Sequence, residues 1–109
     1  PGAEKIDPAN EMVWRQQLRR LDAESLRDAV LTANGELNLE MGGRGFFPML
    51  PKEVLATQSI PGDGWGESAP SQLGRRSIYM FVKRTLRVPL MEAFDTATPD
   101  QSIAARSVT

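Results

Sequence analysis

The sequence predicts a mainly α architecture: two N-terminal helices or one kinked helix, one short strand segment, and long irregular loops. Three observations carry that expectation. Apolar residues recur at helical spacing within residues 8–34. A single run rich in β-branched and aromatic side chains lies at 75–84. Gly and Pro together make 17 of the 109 residues, so much of the chain must turn. Leu, Ile, Val and Phe number only 25, close to the ~20% below which chains stay disordered, so the core must be thin. The length fits one unit over 1–109, a single domain or part of a larger one.

Asp7-Pro8 predicts the first helix start, because Asp caps well and Pro tolerates the first helical position. Met12, Trp14, Leu18 and Leu21 follow at helical spacing, giving a helix over about 8–20. The apolar stripe slips phase between Leu21 and Leu26. Asp22 stands at the slip and predicts a second helix, 22–34, with Leu26, Ala29, Val30 and Ala33 on its apolar face and packed on Trp14 and Leu18. Asn34-Gly35 ends it, since Gly enters the left-handed region without steric cost.

Leu37, Leu39 and Met41 alternate with polar residues and suggest an extended stretch before the turn Gly42-Gly43-Arg44-Gly45. Phe46, Phe47, Met49 and Leu50, interrupted by Pro48, form an apolar plug, and residues 51–56 suit one or two helical turns. Residues 59–71 read as successive turns around Trp65. In 75–84 both alternating sets, Ile78/Met80/Val82 and Tyr79/Phe81, are apolar, which predicts a strand covered on both faces. A short helix from Pro89 to Phe94 completes the order.

Cys and His are absent, which excludes disulfides, thiolate chemistry and zinc–thiolate sites, and removes the usual general base. No apolar run approaches the ~18 residues of a membrane span. Gly42–Gly45 lacks the Lys-Ser/Thr ending of a phosphate loop. Ser77 and Tyr79 have no suitable neighbour to activate them, so a self-contained hydrolase is disfavoured. The residues assign no catalytic group, metal or cofactor, and leave enzyme status open but weighted against activity, with Glu92 and Asp95 as the carboxylate pair kept in view.

Charge is uneven: residues 1–41 carry −3 and residues 68–109 carry +3, against −1 for the whole chain. Arg19, Arg20, Glu24, Arg27 and Asp28 stand at i,i+3 and i,i+4 spacings that suit a structural ion-pair network. Arg75, Arg76, Arg84 and Arg87 form a basic cluster interleaved with Tyr79 and Phe81, the pattern of an anion-binding surface. A pI near 5.4 argues against nucleic acid and favours pairing of these arginines with the acidic N-terminal third. The alternative occupant is an anionic polysaccharide, sulfated or acidic.

The run Asp7-Pro8-Ala9-Asn10 leading to Trp14-Arg15, and Arg19-Arg20-Leu21-Asp22-Ala23-Glu24-Ser25-Leu26-Arg27-Asp28-Ala29, carry a further signal. With Gly42-Gly43, Gly74–Tyr79, Pro89–Asp95 and Arg106–Thr109 in this order, the chain resembles the planctomycete PSD domain family. That family is a domain of unknown function found C-terminal to cytochrome c-like domains in large exported proteins. The resemblance spans almost the whole chain and implies membership, an exported or periplasmic location, and an internal fragment of a longer domain; it brings no catalytic residues. The expected role is a non-catalytic structural and interaction module whose partners are neighbouring domains of the parent protein, with oligomerisation open.

Overall fold

The computed structural model describes residues 2–104. Among these residues one helix is longer than a single turn: α2, Ala23–Asn34. Among the described residues four single-turn helices accompany it, of which only α5 packs against it: α1 (Ala3–Ile6), α3 (Lys52–Leu55), α4 (Pro70–Leu73) and α5 (Pro89–Glu92). A 3-10 turn covers Ser77–Tyr79. Among the described residues no sheet forms, only the isolated parallel bridges Asn38–Arg75 and Phe46–Met80 and the antiparallel bridge Lys83–Leu86. The molecule is therefore short helices joined by irregular chain, less helical than expected from its sequence.

The ends of α2 follow directly from its residues. Asp22 accepts a hydrogen bond from the Ser25 amide at 2.7 Å, satisfying one of the amides that a helix start leaves open. Gly35, at φ 71°, lets its amide reach Thr32 O and the Glu36 amide reach Leu31 O at 2.9 Å, a Schellman closure. The buried side differs from the expected stripe: Ala23 is buried, Leu26, Arg27, Asp28 and Leu31 are half-buried, and Val30 and Ala33 are exposed. Arg27 and Asp28 turn inward because their polar atoms find partners there, which rotates Val30 and Ala33 toward solvent.

The helix expected over 8–20 is absent. Asp7 instead follows α1, and its carboxylate accepts the Glu11 and Met12 amides at 2.9 and 2.8 Å. The Asn10 side chain accepts from the Arg15 amide and donates to the Arg15 carbonyl, while Trp14 Nε1 donates to the Asp7 carbonyl. These local side-chain bonds compete with the helical ladder for the same backbone groups. They also hold Asn10 and Val13 at φ 59° and 52°, a region that strains a β-branched residue. Met12, Val13, Leu18 and Leu21 find no facing element to bury them, and helices in proteins draw most of their stability from such burial. Leu18 is 95% exposed, so it cannot pack on α2. Leu18→Ala is expected to leave stability to urea unchanged within about 0.5 kcal/mol; a clear loss would restore the packed helix.

The strand expected over 75–84 is also absent. Its amides go elsewhere: Ser77 N–H to the Asp28 carboxylate, and Tyr79 and Met80 N–H to Arg76 and Ser77 carbonyls within the 3-10 turn. Ladder pairing survives only as isolated bridges, the fullest at Phe46, whose amide donates to Tyr79 O while its carbonyl accepts from Phe81 N. Neither face is covered throughout: in one set Met80 is buried whereas Ile78 is 82% exposed, and in the other Tyr79 is half-buried and Phe81 exposed. The core gathers Ala23, Phe46, Met80 and Met91, with Leu73, Tyr79, Val88 and Phe94 packed on it. A second cluster stacks Phe47, Trp65 and Phe81 with ring centroids 4.6–5.7 Å apart, within the range of favourable aromatic pairs.

The Gly42–Gly45 stretch is a turn, with Gly42 and Gly43 at φ 79° and 76°. α3 and α5 fall where Pro51 and Pro89 suggest, whereas α4 lies at the end of a stretch expected to be irregular. Gly74 closes α4 so near Glu36 that an added Cβ would lie 2.4 Å from the Glu36 carbonyl oxygen. Gly74→Ala is expected to lower stability by roughly 1–3 kcal/mol, the usual cost of forcing atoms into filled space, as read from its urea midpoint.

Candidate functional site

The polar centre of the fold is built where α2 crosses the chain from Leu73 to Tyr79. Arg27, one turn into α2, donates from Nη2 to Leu73 O at 2.6 Å, and from Nη1 to Arg75 O at 2.8 Å and Ser77 Oγ at 3.1 Å. Its guanidinium carbon lies 5.2 Å from the Phe46 ring centroid. Asp28 beside it accepts from both the Ser77 amide, at 2.8 Å, and the Ser77 hydroxyl, at 2.7 Å. Arg27 and Asp28 pair at 3.6 Å. Burial lowers the Arg27 pKa from its ordinary value, an effect that the Asp28 charge opposes, yet a guanidinium remains a cation in proteins.

Arg75 forms the second half of this centre and is only 2% exposed. Its guanidinium donates to the carbonyls of Arg44 at 2.7 Å, Glu40 at 3.4 Å and Gly42, so it fills the inside of the glycine turn. Tyr79 covers it, with the Arg75 guanidinium carbon 4.0 Å from the ring centroid, and the Tyr79 hydroxyl accepts from the Gly42 amide at 2.8 Å. The two arginines thus tie three segments together: α2, the 38–46 stretch and the 73–80 stretch. Ser77, 4% exposed, joins the two halves: its oxygen accepts from Arg27 Nη1 and its hydroxyl donates to Asp28.

The four arginines of the basic cluster do not share one surface. Arg75 is inside. Arg76 is half-buried, with its guanidinium carbon 5.9 Å from the Tyr79 ring centroid. Arg87 pairs with Asp100 and, at 3.7 Å, with Glu92, while Arg84 lies 3.5 Å from Asp100 and donates to Pro99 O. Of the N-terminal network, only Arg27 and Asp28 meet in the polar centre; Arg19 and Arg20 precede α2 in irregular chain, and Glu24 lines a small cavity with Arg87 and Glu92. That cavity, about 60 Å³, is far below the roughly 300–1,000 Å³ of small-molecule sites. A larger open hollow of about 470 Å³ runs beside Phe47, Met49, Leu50, Leu55 and Trp65.

Sequence reasoning missed the acceptors of both buried arginines. Any residue supplies a carbonyl, so Leu73, Glu40, Gly42 and Arg44 carry no side-chain signal for that role. The one usable hint was the pair Gly42-Gly43, which allows the turn to aim its carbonyls inward. Among the described residues no group of three acidic, His or Cys side chains is placed to hold a metal ion, and no helix is long and apolar enough to cross a membrane.

A family model described as PSD1, protein of unknown function (DUF1553), matches residues 1–109. No curated protein and no solved structure matches the chain.

Proposed function

We propose that this chain, which belongs to the PSD1 (DUF1553) family of proteins of unknown function, is a non-catalytic structural and interaction module that works packed against neighbouring domains of a larger, exported protein. The observation that carries the reading is the apolar surface of the N-terminal stretch. Ile6, Met12, Val13, Leu18 and Leu21 are all exposed within sixteen residues. Soluble proteins scatter single apolar residues over their surface, but a concentrated run of them marks an interaction site.

The shape supports the same conclusion. A compact chain of this length has a radius of gyration of about 13 Å, whereas this one measures 18.4 Å and extends 59 × 32 × 25 Å. Too little of its surface is folded inward for the module to work in isolation. The exported location rests on the family resemblance drawn from residues 7–29, 42–43, 74–79 and 89–95.

Sedimentation velocity over a concentration series, with a dye that fluoresces on exposed apolar surface, tests the reading. The wild-type chain is expected to self-associate and bind dye, and serine at Met12, Val13 and Leu18 is expected to reduce both. A sharp monomer at every concentration, with no dye binding, would overturn it.

A further inference from the structure

We infer that Arg19-Arg20 is a processing site for a trypsin-like serine protease, and that a cut there removes the apolar segment through which the module associates. The second half of this inference rests on the interaction-module reading. The reaction adds one water across a peptide bond. The carbonyl carbon of Arg19 or Arg20 takes the hydroxyl, the nitrogen of the following residue takes the hydrogen and leaves as a new amino terminus, and nothing is oxidised or reduced.

The pair lies in a connector between two separately bonded stretches. Among the described residues every hydrogen bond made by residues 2–15 closes within that stretch, much of it around the buried side chains of Asp7 and Asn10. On the other side Ala23 is buried, and its amide donates to Asp95 O at 3.2 Å. Between them residues 16–21 are irregular and exposed at every position. Gln16, Gln17, Leu18, Arg19 and Leu21 make no hydrogen bond or ion pair among the described residues.

A protease draws its substrate into the cleft as an extended strand, so a susceptible chain must be exposed and not committed to hydrogen bonds of its own. A trypsin-like pocket carries an Asp at its base and takes a cationic side chain. At most other cations of this chain the carbonyl to be attacked is already engaged. Those of Arg15, Arg44 and Arg75 accept from Asn10, Arg75 and Arg27, and those of Lys52, Arg76 and Lys83 accept backbone amides. Arg84 and Arg87 are both paired with Asp100. A cut at Arg19-Arg20 would part α2 from Ile6, Met12, Val13 and Leu18, which are 79%, 75%, 76% and 95% exposed.

Brief digestion of the whole native chain with dilute trypsin, followed by intact mass spectrometry and by sedimentation of the cut protein, tests both halves. The first cut is expected after Arg19 or Arg20, leaving a fragment that begins at Arg20 or Leu21 and persists while the intact chain disappears. Arg19→Gln/Arg20→Gln is expected to slow that first cut at least about tenfold, because the pocket's Asp loses its cation. Should the variant misfold, the order of cuts in the wild-type chain decides alone. The persisting fragment is expected to have lost the self-association of the intact chain. A first cut after any other Lys or Arg, or digestion that leaves no persisting fragment, would overturn the processing site. A cut protein that associates as the intact one does would overturn the role of the released segment. An intact chain that is monomeric yet is cut first at Arg19-Arg20 would sink the interaction-module reading and leave the processing site standing.

Discussion

Arg27→Ala is expected to lower stability by roughly 3–5 kcal/mol in urea denaturation, enough to abolish a cooperative transition in a chain with so thin a core. The substitution removes the donor to Leu73 O, Arg75 O and Ser77 Oγ together, and leaves Asp28 without its neighbouring cation. The half-buried Asp28 keeps its bonds from the Ser77 amide and hydroxyl, so the cost falls mainly on the Leu73 and Arg75 carbonyls and the Ser77 hydroxyl, which lose their charged donor together. Arg27→Met separates the contributions, since its unbranched stem still packs on Phe46 while the donors are gone. Adding Asp28→Ala to Arg27→Met is expected to cost further stability, because the buried Ser77 amide and hydroxyl then lose their acceptor. If Arg27→Ala unfolds at the wild-type urea midpoint, the polar centre contributes nothing to the fold.

Arg75→Ala is the second large effect, again about 3–5 kcal/mol by the same measurement, because hydrogen bonds from a charged donor each contribute about 1.5–3 kcal/mol and are not additive. Here the carbonyls of Glu40, Gly42 and Arg44 lose one shared donor, and Tyr79 loses the cation on its ring. Arg75→Lys is expected to rescue little. An ammonium is a compact point charge and cannot reproduce a planar fork that spans three carbonyls. Full rescue by Lys would mean that charge alone, and not the geometry of the turn, holds the 38–46 segment.

These two residues also show where the sequence could be read and where it could not. The bounds of α2 were legible because Asp22 and Gly35 act locally, through a side-chain cap and a left-handed backbone that depend on nothing distant. The starts of α3 and α5 were legible through Pro51 and Pro89 for the same reason. The N-terminal stripe misled because spacing says only that a helix would be amphipathic; it does not say whether a surface exists to cover Met12 and Leu18. The 75–84 run misled in the opposite sense. Its strand propensity was real, but Asp28, some fifty residues away, captures the Ser77 amide, and no local pattern announces that bond.

The expected structural ion-pair network illustrates the same limit. Helical spacing places Glu24, Arg27 and Asp28 near one another, yet it is blind to which face turns inward. Arg27 turns in because carbonyls left open at the end of α4 and in the bend after it accept its hydrogen bonds, so a tertiary contact adds a role to a residue that the pattern had placed in an ion-pair network.

Amide hydrogen exchange at Ser77 tests the central claim most directly. The claim is that the Arg27–Asp28–Ser77–Arg75 junction ties α2 to the rest of the chain, and the Ser77 amide donates straight into the Asp28 carboxylate at 2.8 Å. It is expected to exchange slowly in the wild-type protein and to lose that protection in Asp28→Ala, while amides in the middle of α2 retain theirs. Exchange of the Ser77 amide at the rate of an unstructured peptide in the wild-type protein would contradict the junction and the architecture built on it.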